Sequence, residues 1–191
     1  MKCIKDNIVN SFEINKSIFI TDIVRVNSLD EINTIINEIK LKYKDATHYC
    51  YAYIIDNLRK SSDDGEPGGT AGVPIMEVLL KNELNYILCV VTRYFGGIKL
   101  GASGLVRAYR NSIVEALKLC KFYELVDGYT LEINTTYDNQ KKIDFLIKDL
   151  EYKKDYFTDI KYTIKCPKNK IKILDDNNIK YNILEKNKIE I

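Results

Sequence analysis

Histidine is almost missing from this chain: His48 is the only one among 191 residues. That excludes a histidine-built metal centre. A lone histidine two residues from Cys50 makes neither a catalytic pair nor a metal site, and reads as structural. Cysteine is sparse as well. The five, Cys3, Cys50, Cys89, Cys120 and Cys166, are odd in number and never spaced C-x-x-C, which argues against a disulfide framework or zinc ribbon and for reduced thiols. No apolar run reaches membrane-spanning length and no secretory leader stands out, so the chain reads as cytoplasmic with no membrane partner. The net charge is only +2, so no strong overall pull toward nucleic acid or lipid is present. Repeats and low-complexity linkers are missing too. Proline is scarce, at three residues, and two of them, Pro67 and Pro74, fall where the glycines are.

Eight of the nine glycines lie between Gly65 and Gly104. Glycine is costly in regular structure and is kept where backbone turns through positive φ or approaches something closely. The densest part, Arg93-Tyr94-Phe95-Gly96-Gly97-Ile98-Lys99-Leu100-Gly101-Ala102-Ser103-Gly104, leaves an apolar strand and enters an amphipathic helix. A strand, glycine loop and helix start aim backbone N–H groups at one point and can cradle an anion. The spacing matches neither a dinucleotide fingerprint nor a Walker loop. Lys99 and Arg107 sit near the positive end of the helix, where cations are disfavoured by up to about 1 kcal/mol. Something negative should offset them, a ligand or the protein's own carboxylates. Arg93, Gly96, Gly97, Lys99, Gly101, Gly104 and Arg107 form the candidate site for an anion or RNA.

Earlier in the chain, residues 8–26 read as two strands with a turn at Asn15-Lys16-Ser17, and Ser28-x-x-Glu31 opens a helix over 29–43. Residues 47–55 form a strand that divides its faces: His48, Cys50, Ala52 and Ile54 on one, Tyr49, Tyr51 and Tyr53 on the other. The tyrosine row could stack bases or pack under another element. Residues 56–72 read as a polar loop in which Asp63, Asp64 and Glu66 could hold a divalent cation or meet the cations of the glycine loop. Helices are expected over 74–81 and 103–119, and a central strand over 86–94. Beyond a reset at 121–128, strand, helix, two strands, helix and strand give a βαββαβ order. The expectation is α+β: two domains, residues 1–122 and 128–191, each with one sheet and helices mainly on one face.

Three stretches together resemble the YigZ/IMPACT family, bacterial two-domain type: Ala46-Thr47-His48-Tyr49-Cys50-Tyr51-Ala52-Tyr53, Asp63-Asp64-Gly65-Glu66-Pro67-Gly68-Gly69-Thr70-Ala71-Gly72, and Val91-Thr92-Arg93-Tyr94-Phe95-Gly96-Gly97-Ile98-Lys99-Leu100-Gly101 continuing through Gly104-Leu105-Val106-Arg107. The resemblance covers residues 12–120. Ser103 departs from it, standing where glycine is common, and Gly68 stands where serine is. The resemblance implies an amino-terminal domain of the ribosomal-protein type, as in domain IV of elongation factor G, and a ferredoxin-like second domain resembling domain V. It also implies a role near translation, since eukaryotic members regulate initiation through protein competition. Three functions follow as expectations. The first is a non-enzymatic regulator binding RNA or the ribosome through the glycine-rich basic loop. The others are a protein-interaction regulator of translation or stress signalling, and a metal-dependent hydrolase using Asp63, Asp64 and Glu66. No cofactor and no bound metal is expected.

Overall fold

The computed structural model describes residues 1–191, which divide into two compact units, Met1–Tyr123 and Glu124–Ile191. The first is built around β6 (Ile87–Tyr94), which is buried along almost its whole length. Ile87, Cys89 and Val91 face one side, Leu88 and Val90 the other, so both sides of the sheet need cover.

That demand explains the layering. β2 (Ile8–Ile14), β3 (Ser17–Arg25), β6, β4 (His48–Ile55) and β5 (Leu58–Ser62) pair in the order β2-β3-β6-β4-β5, antiparallel throughout. α2 (Gly72–Lys81) and α3 (Gly101–Leu117) cover one face, where Cys50, Ala52, Ile75, Leu79, Tyr109 and Ile113 share a core. α1 (Leu29–Lys42) covers the other face through Ile32, Ile36 and Ile39. Helices therefore lie on both faces, correcting the one-sided expectation. A short strand, β1 (Lys2–Ile4), adds Ile4 to the first core.

Local chemistry accounts for most boundaries. Asn15 and Lys16 both take left-handed φ, 47° and 61°, and Ile14 pairs with Ser17, a two-residue hairpin of the kind that matches strand twist. Glu31 reaches back to accept from the N–H of Asn27, one residue before the N-cap, at 3.0 Å, and Ser28 makes no side-chain cap, so the expected capping box is replaced by this single bond. Residues 58–62 were expected as loop and are an edge strand; their polar, exposed side chains hide the pairing with β4. α3 begins at Gly101 rather than Ser103, and Ser103 sits inside it without the positive φ that Gly97 and Gly101 adopt.

β7 (Phe122–Thr135) begins within the stretch expected as a boundary and supplies the first strand of the second unit. A 3₁₀ turn and α4 (Gln140–Leu146), β8 (Glu151–Tyr156), β9 (Ile160–Pro167), a second 3₁₀ turn with α5 (Ile171–Asp176), and β10 (Asn182–Glu190) follow. The antiparallel strand order is β8-β9-β7-β10. Leu131, Ile133, Tyr162 and Ile164 pack with Ile143, Ile147 and Leu174. Ion pairs Lys161–Glu132 and Lys165–Glu151 join side chains of neighbouring strands.

Candidate functional site

The acidic loop and the glycine loop meet at the ends of β4 and β6. His48 and Arg93 are direct cross-strand partners, so the register of β4 on β6 places them together. The Arg93 side chain is buried, its guanidinium carbon 5.4 Å from the ring centroids of both Phe19 and Phe95. Its Nη1 donates to Glu66 Oε1 at 2.6 Å and its Nη2 to Ser17 Oγ at 3.4 Å; its Nε finds no acceptor. Glu66 is as buried as Arg93, and the same Oε1 also accepts from the Tyr109 hydroxyl of α3 at 2.7 Å. A strand, β6, and a helix, α3, are thus tied to one carboxylate oxygen of the acidic loop.

The other two acids do different work. Asp63 turns into its own loop: Oδ2 accepts from Gly69 N–H at 2.8 Å, and Oδ1 from Ala71 and Gly72 N–H at 2.9 and 2.8 Å. Asp64 accepts from Tyr49 N–H at 2.7 Å. The three carboxylates do not converge, and no group of three metal-ligating side chains comes together. The loop is a turn stapled by Asp63, and the metal-hydrolase reading loses the ligand set on which it rested.

Burial alone would raise the Asp63 carboxyl, but the three backbone N–H donors outweigh it and hold it below its ordinary value. Its stabilising contribution is fully present above the unfolded-state pKa near 3.8 and is lost as pH falls through the lower folded value. The difference in urea midpoint between wild type and Asp63→Asn should accordingly be largest near pH 6 and shrink below about pH 4. A difference independent of pH would show that the carboxylate charge contributes nothing.

His48 Nδ1 lies 2.8 Å from the Asp64 carbonyl oxygen. A carbonyl only accepts, so Nδ1 carries a proton, and Nε2 lies 3.9 Å from Glu66 Oε2. Cys50 Sγ donates to the Asp63 carbonyl at 3.0 Å and contacts the Tyr109 hydroxyl at 3.2 Å. Burial first, with nearby carboxylates adding, pushes the Cys50 thiol up to about 12, so it is no nucleophile near neutrality. Burial likewise drives the Tyr109 phenol far upward, keeping it a hydrogen-bond donor.

Above this floor opens a cleft of about 370 Å³, lined by Thr47, His48, Glu66, Pro67, Arg93, Phe95, Lys99 and the first residues of α3. Lys99 is exposed and has no ion pair; Arg107 is exposed, unpaired and outside the cleft lining. The carboxylate expected to offset these cations is taken by Arg93. α3 begins without a side-chain cap and without an acid in its first turn. Gly97 and Gly101 hold φ of 85° and 70° with open space around them, whereas Gly104 packs on Leu100 and Gly96 is pressed onto the β2–β3 turn, donating to Ser17 Oγ at 3.1 Å. Tyr49, Tyr51 and Tyr53 pack with the core under α1, so of the two readings of that row packing under another element holds and base stacking does not. Tyr109, Ser17 and Phe95 were missed as site residues. Tyr109 did carry a signal, since a tyrosine on a buried helical face needs a partner for its hydroxyl.

Residues 15–117 match the family model of the Impact N-terminal domain. Over 150 residues the chain is 43% identical to IMPACT family member YvyE of Bacillus subtilis, covering 73% of this chain and 69% of that one. An IMPACT family member of Haemophilus influenzae is 39% identical over 138 residues, covering 70% and 67%. A crystal structure described as that of a hypothetical protein superposes with a TM-score of 0.64 at 26% identity, covering 96% of this chain and 97% of the other.

Proposed function

This chain belongs to the YigZ/IMPACT family, and from that premise we propose that it is a non-enzymatic, translation-associated regulator that binds RNA or the ribosome through the glycine-rich basic loop. The observation that carries the reading is the unspent charge of that loop. Glu66 neutralises Arg93, while Lys99 stands exposed and unpaired beside the uncapped start of α3. A free cation at a helix N-terminus suits a phosphate. The dispersal of Asp63, Asp64 and Glu66 supports a binding rather than a hydrolytic role. The βαββαβ order of the second unit supports the likeness to elongation-factor domains, which is analogy at the level of fold. The protein would act in the cytoplasm; no helix is long and apolar enough to cross a membrane.

Ribosome co-sedimentation across a salt series tests this. Wild type should lose association as salt rises, and Lys99→Ala should weaken it and reduce the slope of log affinity against log salt by about one. Thermal stability of Lys99→Ala and Arg107→Ala should stay near wild type, because neither side chain is buried or paired. Salt-independent association unchanged in Lys99→Ala would overturn the reading. A second reading, a protein partner, is favoured by exposed Phe95 and Ile98 flanking the loop. It predicts association that survives high salt and fails in Ile98→Asp.

A further inference from the structure

The lining of the cleft asks for more than a phosphate. Among its lining residues, Glu66 carries a carboxylate oxygen without a donor. Glu66 Oε2 receives no hydrogen bond, since both donors go to Oε1, and His48 Nε2 lies 3.9 Å from it. Such an oxygen calls for an N–H donor on the ligand. The Arg93 Nε–H lacks an acceptor in a side chain that is only 5% exposed, calling for a ligand acceptor nearby. Phe95, 44% exposed, offers a flat aromatic surface that Arg93 backs, and Leu100, Ala102 and Leu105 add apolar lining. Exposed Lys99 and the start of α3, which has no side-chain cap, also belong to the lining. Glu66 and Arg93 cancel, so the cleft keeps the positive charge of Lys99 and the helix terminus, and its ligand should be anionic.

An anionic group joined to a planar ring that both donates and accepts hydrogen bonds describes a nucleotide, and about 370 Å³ lies within the range of small-ligand pockets. We infer that this cleft receives one unstacked nucleotide carrying an exocyclic amino group, with its base on Phe95 and Glu66 and its phosphoryl group at Lys99 and the start of α3. The inference rests on the RNA-binding reading above and makes the cleft the place where a single-stranded segment is held, since such bases are splayed out and stacked on aromatic side chains.

The test titrates the full chain, observed by amide NMR, with CMP, UMP, cytidine and inorganic phosphate as separate probes. CMP should shift the amides of Phe95, Gly101 and Ala102, and should bind about tenfold more tightly than UMP, which offers a carbonyl where cytosine has its amino group. Lys99→Ala should weaken CMP about tenfold and leave cytidine unchanged, while Phe95→Ala weakens CMP and cytidine alike by at least about tenfold. CMP binding no tighter than inorganic phosphate, or shifts confined to residues outside the cleft, would overturn the inference. Ribosome association, scored separately, tells the two readings apart. If it is salt-dependent and unaltered in Phe95→Ala while CMP does not bind, the cleft inference falls and the loop reading stands. If CMP binds as expected but no RNA or ribosome association is seen, the cleft inference stands with a free nucleotide as ligand, and the RNA reading falls.

Discussion

Glu66→Ala should cost the first unit about 3–5 kcal/mol, the range found when one partner of a buried ion pair is removed. Arg93 and Tyr109 both depend on Glu66 Oε1, at 2.6 and 2.7 Å. Once the carboxylate is gone, the guanidinium keeps only a long contact to Ser17 at 3.4 Å and the faces of two phenylalanines. The ion pair need not be stabilising for this to hold, because the loss comes from stranding a charge that the fold keeps out of water. Glu66→Gln should cost less, since its amide oxygen still accepts, though it no longer neutralises Arg93. In Glu66→Ala with Arg93→Ala the penalty should fall well short of the sum of the two single losses. Urea denaturation followed by far-UV circular dichroism, with a transition fitted for each unit, measures the four variants against wild type. Additive losses would show that the two side chains do not depend on each other.

Gly96→Ala should be comparably severe for a different reason. A Cβ on Gly96 would fall onto the backbone carbon and oxygen of Lys16 and lie 2.5 Å from Ser17 N. These are backbone atoms of a tight hairpin turn, which cannot rotate aside as a side chain can. The β2–β3 turn and the glycine loop would have to part, breaking the Gly96 N–H bond to Ser17 and the support that Ser17 gives Arg93. A loss at or above about 3 kcal/mol, the upper end of ordinary overpacking, is expected. Gly68→Ala is the matched control: nothing lies within 4 Å of its added Cβ and its φ is not positive, so its stability should stay within about 0.5 kcal/mol of wild type. Equal midpoints for Gly96→Ala and Gly68→Ala would remove the steric argument.

The sequence by itself determined whatever depends on neighbours along the chain. Ile32, Ile36 and Ile39 recur at helical spacing, β6 is too apolar to lie anywhere but the centre of a sheet, and the glycines mark where backbone must turn or pack closely. It also brought the motifs that identify the family. The order of elements in both units was readable on the same grounds, apart from β1 and β5. β5 is missed because an edge strand with exposed polar side chains lacks the alternation that reveals a half-buried one. What only the tertiary structure decided is the division of labour among chemically equivalent groups. Asp63, Asp64 and Glu66 are alike in sequence, yet one staples its own turn, one caps a strand amide and one neutralises a buried arginine 27 positions away. The tyrosines of β4 could have faced bases or helix, and the need to cover Leu88 and Val90 brought α1 over them. Periodicity records which face of a segment is buried, but not what buries it. That is set by strand register and helix docking between distant parts of the chain, where a carboxylate or a tyrosine ring first meets its partner.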